Sequence, residues 1–189
     1  MQRVIAVEEV AKELAARIAE RLADVVVGDP REEATRVAAL IDEAATDRVL
    51  SWIEEARAAG ARVIAGGERV GRCLAPALLA EVPGGLPAWD EEIFGPVVAL
   101  RTVPDLDAAY DLVNDSRYGL HAAVFTRDLG AAFAAIDALD VGGVVINEVP
   151  GYRSDVAPYG GVKDSGIGRE GPRFAIEELT VTRMAVIRP

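Results

Sequence analysis

The chain has 189 residues, of which 51% are apolar and 27% charged, so its composition is that of a folded globular protein and excludes a disordered segment. Its 31 acidic and 20 basic residues give a net charge of −11, which argues against a nucleic-acid partner. No apolar stretch reaches the length of a membrane span and the single cysteine excludes a disulfide framework, so we expect no membrane partner and a reducing, cytoplasmic location.

Taken in chain order, apolar periodicity and turn residues predict strands that alternate with helices. The first half holds a strand, two helices and three extended segments, at Arg3–Val7, Glu8–Asp24, Asp42–Ala59, Ala61–Ala65, Cys73–Val82 and Ile93–Val103. The second half holds a helix, a strand, a helix, a strand and a short helix, at Asp105–Asn114, His121–Thr126, Asp128–Ala138, Gly143–Asn147 and Pro172–Glu178. The residues predicted to be buried on the first two helices are Val10, Leu14, Ile18 and Leu22, then Val49, Leu50, Trp52 and Ile53.

Strands separated by helices predict an α/β fold, with a largely parallel sheet and flanking helices. The tail Leu179–Ile187 alternates in the manner of an exposed strand, and no partner strand follows it. A strand with free backbone groups needs a cover, so we expect another chain to pair with this tail.

Three features common to enzymes have simpler interpretations in this sequence. Cys73 lies beside Arg72 in an extended segment, which favours packing over a nucleophilic role. His121 has no thiol or Ser–Asp partner nearby, and one cysteine with one histidine excludes a Cys/His zinc cluster, so we expect no metal site. The GxGxxG pattern at Gly166–Gly171 has no following βαβ unit and does not predict a dinucleotide loop.

An acidic turn followed by Phe-Gly-Pro is the most suggestive local pattern. Gly95 permits unusual backbone angles and Pro96 fixes the next one, which stiffens the site where Glu92 and Phe94 project. A rigid carboxylate beside an aromatic ring would suit a ribose and a flat ring. An ordinary solvated turn remains the alternative.

Three motifs together resemble the aldehyde dehydrogenase superfamily: EEIFGPV at Glu91–Val97, NDSRYGLHAAVFTRD at Asn114–Asp128 and PYGGVKDSGIGREG at Pro158–Gly171. The resemblance covers essentially the whole chain and is strongest to the lactaldehyde, phosphonoacetaldehyde and succinate-semialdehyde type. It implies the C-terminal part of such an enzyme, with a partial catalytic domain over residues 1–178 and an oligomerisation strand over 179–189. A homo-oligomer, a dimer or larger, is then expected.

The same resemblance implies roles for single residues. Glu92 matches the glutamate that holds the nicotinamide ribose, and Phe94 the aromatic residue beside the nicotinamide. Tyr152, Arg153 and Tyr159 fall in the loop that lines the aldehyde entrance. Arg153 would suit an anionic aldehyde, although a surface arginine is an equally open interpretation. The complete enzyme would use NAD or NADP, which this chain would bind weakly or not at all.

The resemblance also implies what this chain lacks. The nucleophilic cysteine and the general-base glutamate of the family fall before Met1, so no catalytic residue is predicted here and the chain is expected to be inactive alone. Met1 would then be an internal start or a truncation point. Ala38-Ala39 stands where the family usually has Gly-Pro, which leaves that turn's geometry open. The alternatives are a non-enzymatic oligomerising subunit and a domain without retained function.

Overall fold

The computed structural model describes residues 1–189 as two compact units, Met1–Ala109 and Tyr110–Pro189. Both mix helices with strands. In chain order the first elements are β1 (Arg3–Val7), α1 (Glu8–Ala23), α2 (Glu43–Ala58), β2 (Arg62–Ala65), β3 (Arg69–Val70), β4 (Cys73–Leu74), β5 (Ala77–Ala80), α3 (Pro87–Asp90) and β6 (Val97–Val103). They are followed by α4 (Leu106–Asn114), β7 (Tyr118–Gly119), β8 (His121–Val124), α5 (Leu129–Ala138), β9 (Gly143–Ile146), β10 (Val162–Lys163) and α6 (Pro172–Leu179).

The first unit is built on a four-stranded sheet with the order β1-β6-β5-β2. β1 and β5 both pair in parallel with β6, whereas β2 runs antiparallel along β5 at the edge. Every residue of β5 is buried, as expected for an all-apolar strand that is covered on both faces. The predicted α/β fold with a largely parallel sheet is therefore confirmed, while the short hairpin β3–β4 was not foreseen.

β6 begins at Val97, four residues later than the strand predicted from Ile93. Phe94 has a left-handed backbone with φ +49°, and Pro96 has no amide hydrogen, so sheet pairing cannot run through this segment. The side chain of Ile93 is nonetheless buried. The apolar run therefore predicted burial correctly and the start of the strand wrongly.

Both long helices of the first unit form where the apolar spacing predicted them, with partly different buried faces. Asp42 caps α2 by accepting a 2.6 Å hydrogen bond from the Ala45 amide. On α1, Ala11 is buried and Val10 is exposed, which corrects the prediction for Val10. The buried face of α2 follows the i, i+3, i+7 spacing of a helix, so Leu50 and Trp52 are only half-buried; the face consists of Thr46, Val49, Ile53 and Ala56.

The second unit contains the parallel pair β8–β9, joined through α5, and the small antiparallel pair β7–β10. Asp128 caps α5 by accepting a 2.9 Å hydrogen bond from the Ala131 amide. Tyr110, Ala135 and Leu139 form the buried cluster of this unit. None of the six helices combines the length and the apolar content that a bilayer crossing requires.

Helix α6 ends at Leu179, so the first residue of the strand predicted over Leu179–Ile187 is helical instead. Residues 180–189 form neither helix nor strand in this single chain, and they are exposed. A strand needs the backbone of a neighbour, so pairing of this tail with a second chain stays a prediction. The predicted division at residue 178 likewise stays a prediction.

Candidate functional site

Glu92 and Phe94 lie on an exposed corner between α3 and β6 in the first unit. Glu92 is exposed, and Phe94 is 71% exposed although its flanking residue Ile93 is buried. The left-handed φ of Phe94 is an unusual conformation for an aromatic residue, and it turns the chain sharply before Gly95. The corner therefore presents a carboxylate and an aromatic face to solvent from a bent backbone.

Two side chains from distant parts of the chain hold the backbone of this corner. The amide nitrogen Nε2 of Gln2 donates to the Glu91 carbonyl at 2.6 Å, and Oε1 of Gln2 accepts from the Ile93 amide at 2.8 Å. Arg48, on α2, donates from Nη2 to the Ile93 carbonyl at 2.9 Å. Sequence reasoning missed both residues, because neither lies in a motif and the contacts span 45 to 91 residues.

The glycine of the Phe-Gly-Pro motif is required by a close approach to α2. A β-carbon built at Gly95 would lie 3.0 Å and 3.3 Å from the two γ-methyl carbons of Val49. Val49 is completely buried in a close-packed interior, so making room for the added carbon would require its neighbours to shift. Gly95 thus lets the corner pack directly against α2, a role different from the unusual backbone angles predicted for it.

In the second unit, two of the three predicted entrance residues lie together. The guanidinium of Arg153 lies over the ring of Tyr159, with 4.5 Å between its Cζ and the ring centroid. The same guanidinium donates to Glu170 at 2.7 Å, and the backbones of Tyr159 and Glu170 form an antiparallel bridge. Tyr152 is exposed in the preceding turn, where its amide bonds to the Val149 carbonyl. Glu170 was not predicted, although it lies within the quoted Gly-rich motif.

Arg153, Tyr159 and Glu170 form the group called the Arg153 cluster below, and His121 on β8 contacts it. Its Nδ1 lies 3.0 Å from the Pro150 carbonyl oxygen, and because a carbonyl only accepts, Nδ1 must carry the proton. Its ring meets Tyr159 edge-on, with centroids 4.9 Å apart. The histidine therefore contacts both the loop at residue 150 and the Tyr159 ring, which is a packing role.

Cys73 lies on β4 and is buried, with Sγ 3.8 Å from the Gly28 carbonyl oxygen. A thiol that is 8% exposed and whose sulfur faces a backbone carbonyl suits packing better than a nucleophilic role. No group of three or more His, Cys, Asp or Glu side chains converges in a way that would hold a metal ion. By the chemistry of its side chains, the exposed corner can recognise hydroxyl groups and a flat ring, and the guanidinium of Arg153 can recognise anions.

Comparison with known proteins gives a match over nearly the whole chain. A sequence model described as the aldehyde dehydrogenase family matches residues 1–185. Among curated proteins, the 3-sulfolactaldehyde dehydrogenase of Priestia aryabhattai is 40% identical over 171 residues, covering 90% of this chain and 36% of that protein. The lactaldehyde dehydrogenase of Methanococcus aeolicus is 36% identical over 185 residues, covering 98% of this chain and 40% of that protein.

The fold is shared with solved structures as well. The crystal structure of aldehyde dehydrogenase 21 from Physcomitrella patens, in complex with the reaction product succinate, superposes with a TM-score of 0.90 at 39% identity. The match covers 94% of this chain and 37% of that one. This chain thus spans well under half the length of the relatives it matches, and the similarity includes the lactaldehyde type predicted from the motifs.

Proposed function

The chain belongs to the aldehyde dehydrogenase family, and we propose that it is the C-terminal part of an NAD(P)-dependent enzyme that oxidises an aldehyde to a carboxylic acid. The observation that carries the proposal is the exposed Glu92–Phe94 corner, whose backbone is held by Gln2 and Arg48. These three long-range side-chain hydrogen bonds suit a turn that must present its side chains in a fixed direction.

The corner fits a nicotinamide ribose. The Glu92 carboxylate is exposed and accepts only, so it matches a pair of ribose hydroxyls, which donate. The exposed face of Phe94 offers a flat apolar surface for a planar ring. When bound, NAD or NADP supplies the hydride acceptor. The contribution of these two residues is to orient the ribose and to keep water from one side of the reacting carbon.

We assign the Arg153 cluster to the aldehyde entrance, with Tyr152 and Tyr159. A guanidinium that lies on a tyrosine ring is held in one orientation, which suits recognition of a carboxylate, sulfonate or phosphate. Two relatives support an anionic substrate: one is named for 3-sulfolactaldehyde, and the structure of another holds the reaction product succinate. A third relative is named for lactaldehyde, which is neutral. Glu170 competes for Arg153, so an anionic aldehyde must displace or share that ion pair.

The nucleophile of the proposed reaction is not Cys73. The family resemblance implies that a thiolate adds to the aldehyde and that water later releases the acid from a thioester. Cys73 is buried on β4, which does not suit a sulfur that must meet a substrate. The nucleophilic cysteine would come from polypeptide outside this chain, and this chain alone would be inactive.

We further propose a cytoplasmic enzyme that assembles as a homo-oligomer through the tail.

The test compares this chain with the complete gene product. Formation of NADH or NADPH is followed at saturating cofactor with lactaldehyde, 3-sulfolactaldehyde and succinate semialdehyde. Turnover by the complete product but not by the 189-residue chain supports the proposal. Absence of turnover by the complete product with every aldehyde would overturn it, and would favour the non-enzymatic oligomerising subunit instead.

A further inference from the structure

We propose that Gln2 is a positioning residue for the cofactor site, because its side-chain amide fixes the backbone on both sides of Glu92. The inference rests on the proposed function, since it gives Gln2 a purpose only if Glu92 binds the ribose. No motif of the sequence contains Gln2, and its only local distinction is that it precedes β1.

The two hydrogen bonds of Gln2 reach the two peptide groups that flank the Glu92 α-carbon. The Glu91 carbonyl belongs to the peptide before that carbon, and the Ile93 amide belongs to the peptide after it. Peptide groups are planar, so the orientations of these two planes determine φ and ψ of Glu92. The contacts of 2.6 Å and 2.8 Å therefore set the direction in which the Glu92 side chain leaves the backbone.

Arg48 extends this control by one residue. Its bond to the Ile93 carbonyl fixes the peptide that leads into Phe94, whose left-handed φ sets the direction of the ring. Three successive peptide groups are thus held by two side chains. Gln2 has the matching chemistry for its part, because a planar amide offers one donor side and one acceptor side at a fixed separation.

Because Glu92 is exposed, the direction in which its side chain leaves the chain depends chiefly on the backbone. Its side chain is exposed, whereas its neighbour Ile93 is buried and anchors the corner. Small misplacement of a group at a reacting centre costs on the order of a hundredfold in rate. The side chain of Gln2 can act in this way separately from its backbone, since the Gln2 carbonyl independently accepts the Ala99 amide at 2.8 Å in the sheet.

That separation provides a direct test by amide hydrogen exchange in the 189-residue chain. The variant Gln2→Met removes the acceptor of the Ile93 amide but keeps the backbone acceptor of the Ala99 amide. We expect the Ile93 amide to exchange about tenfold faster while the Ala99 amide is unchanged. An unchanged Ile93 amide, or equal acceleration at Ala99, would overturn the proposal. If Gln2→Met does not fold, Gln2→Asn, one methylene too short to reach both groups, replaces it with the same expectation.

The consequence for hydride transfer is tested by a double-mutant cycle in the complete dehydrogenase. Gln2→Met should slow hydride transfer without changing the KM for aldehyde, and in the Glu92→Gln background it should add less than about a twofold further loss. Fully additive losses would contradict action through Glu92. If Glu92→Gln alone has no effect, the proposed cofactor role of the corner fails, and the exchange result at Ile93 still decides whether Gln2 holds the backbone.

Discussion

Arg153 and Glu170 form an ion pair of 2.7 Å, so the cation that we assign to substrate recognition already has an anionic partner. Both side chains are about half exposed, at 48% and 65%. Exposed ion pairs are weak because water and salt screen them. Under the proposed role of Arg153, an anionic aldehyde would compete with a carboxylate that is close but loosely held.

Replacing Glu170 with glutamine should make the enzyme more selective for anionic aldehydes. The substitution keeps the size of the side chain and frees the Arg153 guanidinium. We expect kcat/KM of the complete enzyme for succinate semialdehyde to rise about two- to fivefold, the effect of removing an exposed competitor. Propionaldehyde, which has no charge, is the control and should change little. An equal change for both aldehydes would show that Arg153 does not contact the anion.

Gly95→Ala should destabilise the first unit through a steric conflict with Val49. The added β-carbon would lie 3.0 Å from a methyl carbon of the fully buried Val49, which costs about 1–3 kcal/mol in the free energy of unfolding. Val49→Ala alone should cost about the same amount by loss of buried methyl groups. Urea unfolding of the double variant should show a smaller loss than the sum of the two, because the truncated side chain makes room. Strict additivity would mean that the two residues do not contact each other.

How far the sequence predicts this molecule depends on the distance along the chain over which each interaction acts. α1 and β1 were predicted to within one residue, because apolar spacing is a local property. The start of β6 was not, since the left-handed backbone of Phe94 keeps sheet pairing from extending back to Ile93. Gln2, Arg48 and Glu170 were missed because their partners lie 17 to 91 residues away. The motifs singled out Glu92 and Phe94 as candidates, which stays a prediction, and gave no sign of the side chains that hold their backbone.

Cys73 should behave as a packed thiol. It is 8% exposed, so labelling by a thiol reagent such as dithionitrobenzoate should be slow in the native chain and fast in guanidinium. The chain should show no thiol-dependent hydrolysis of p-nitrophenyl acetate. Ester hydrolysis that Cys73→Ser abolishes would make Cys73 a nucleophile and would contradict its structural assignment.

Removal of residues 180–189 should change the state of association. The tail exposes Val181, Met184 and Ile187 almost fully in the single chain, and such surface is usually covered by a partner. Light scattering should show a dimer or larger species for the intact chain, and dissociation or aggregation after deletion. A stable monomer with the tail in place would contradict pairing through this segment.

The most direct test of the proposed function is the rate of hydride transfer in the complete enzyme that carries Glu92→Gln. The substitution keeps the size of the side chain but weakens its hold on ribose hydroxyls, since a charged acceptor forms stronger hydrogen bonds than a neutral one. In a single-turnover experiment at saturating cofactor and aldehyde, we predict that NADH or NADPH formation slows by about a hundredfold while the dissociation constant for aldehyde is unchanged. Unchanged hydride transfer in this variant would remove Glu92 from the cofactor site and contradict the proposed role of the corner.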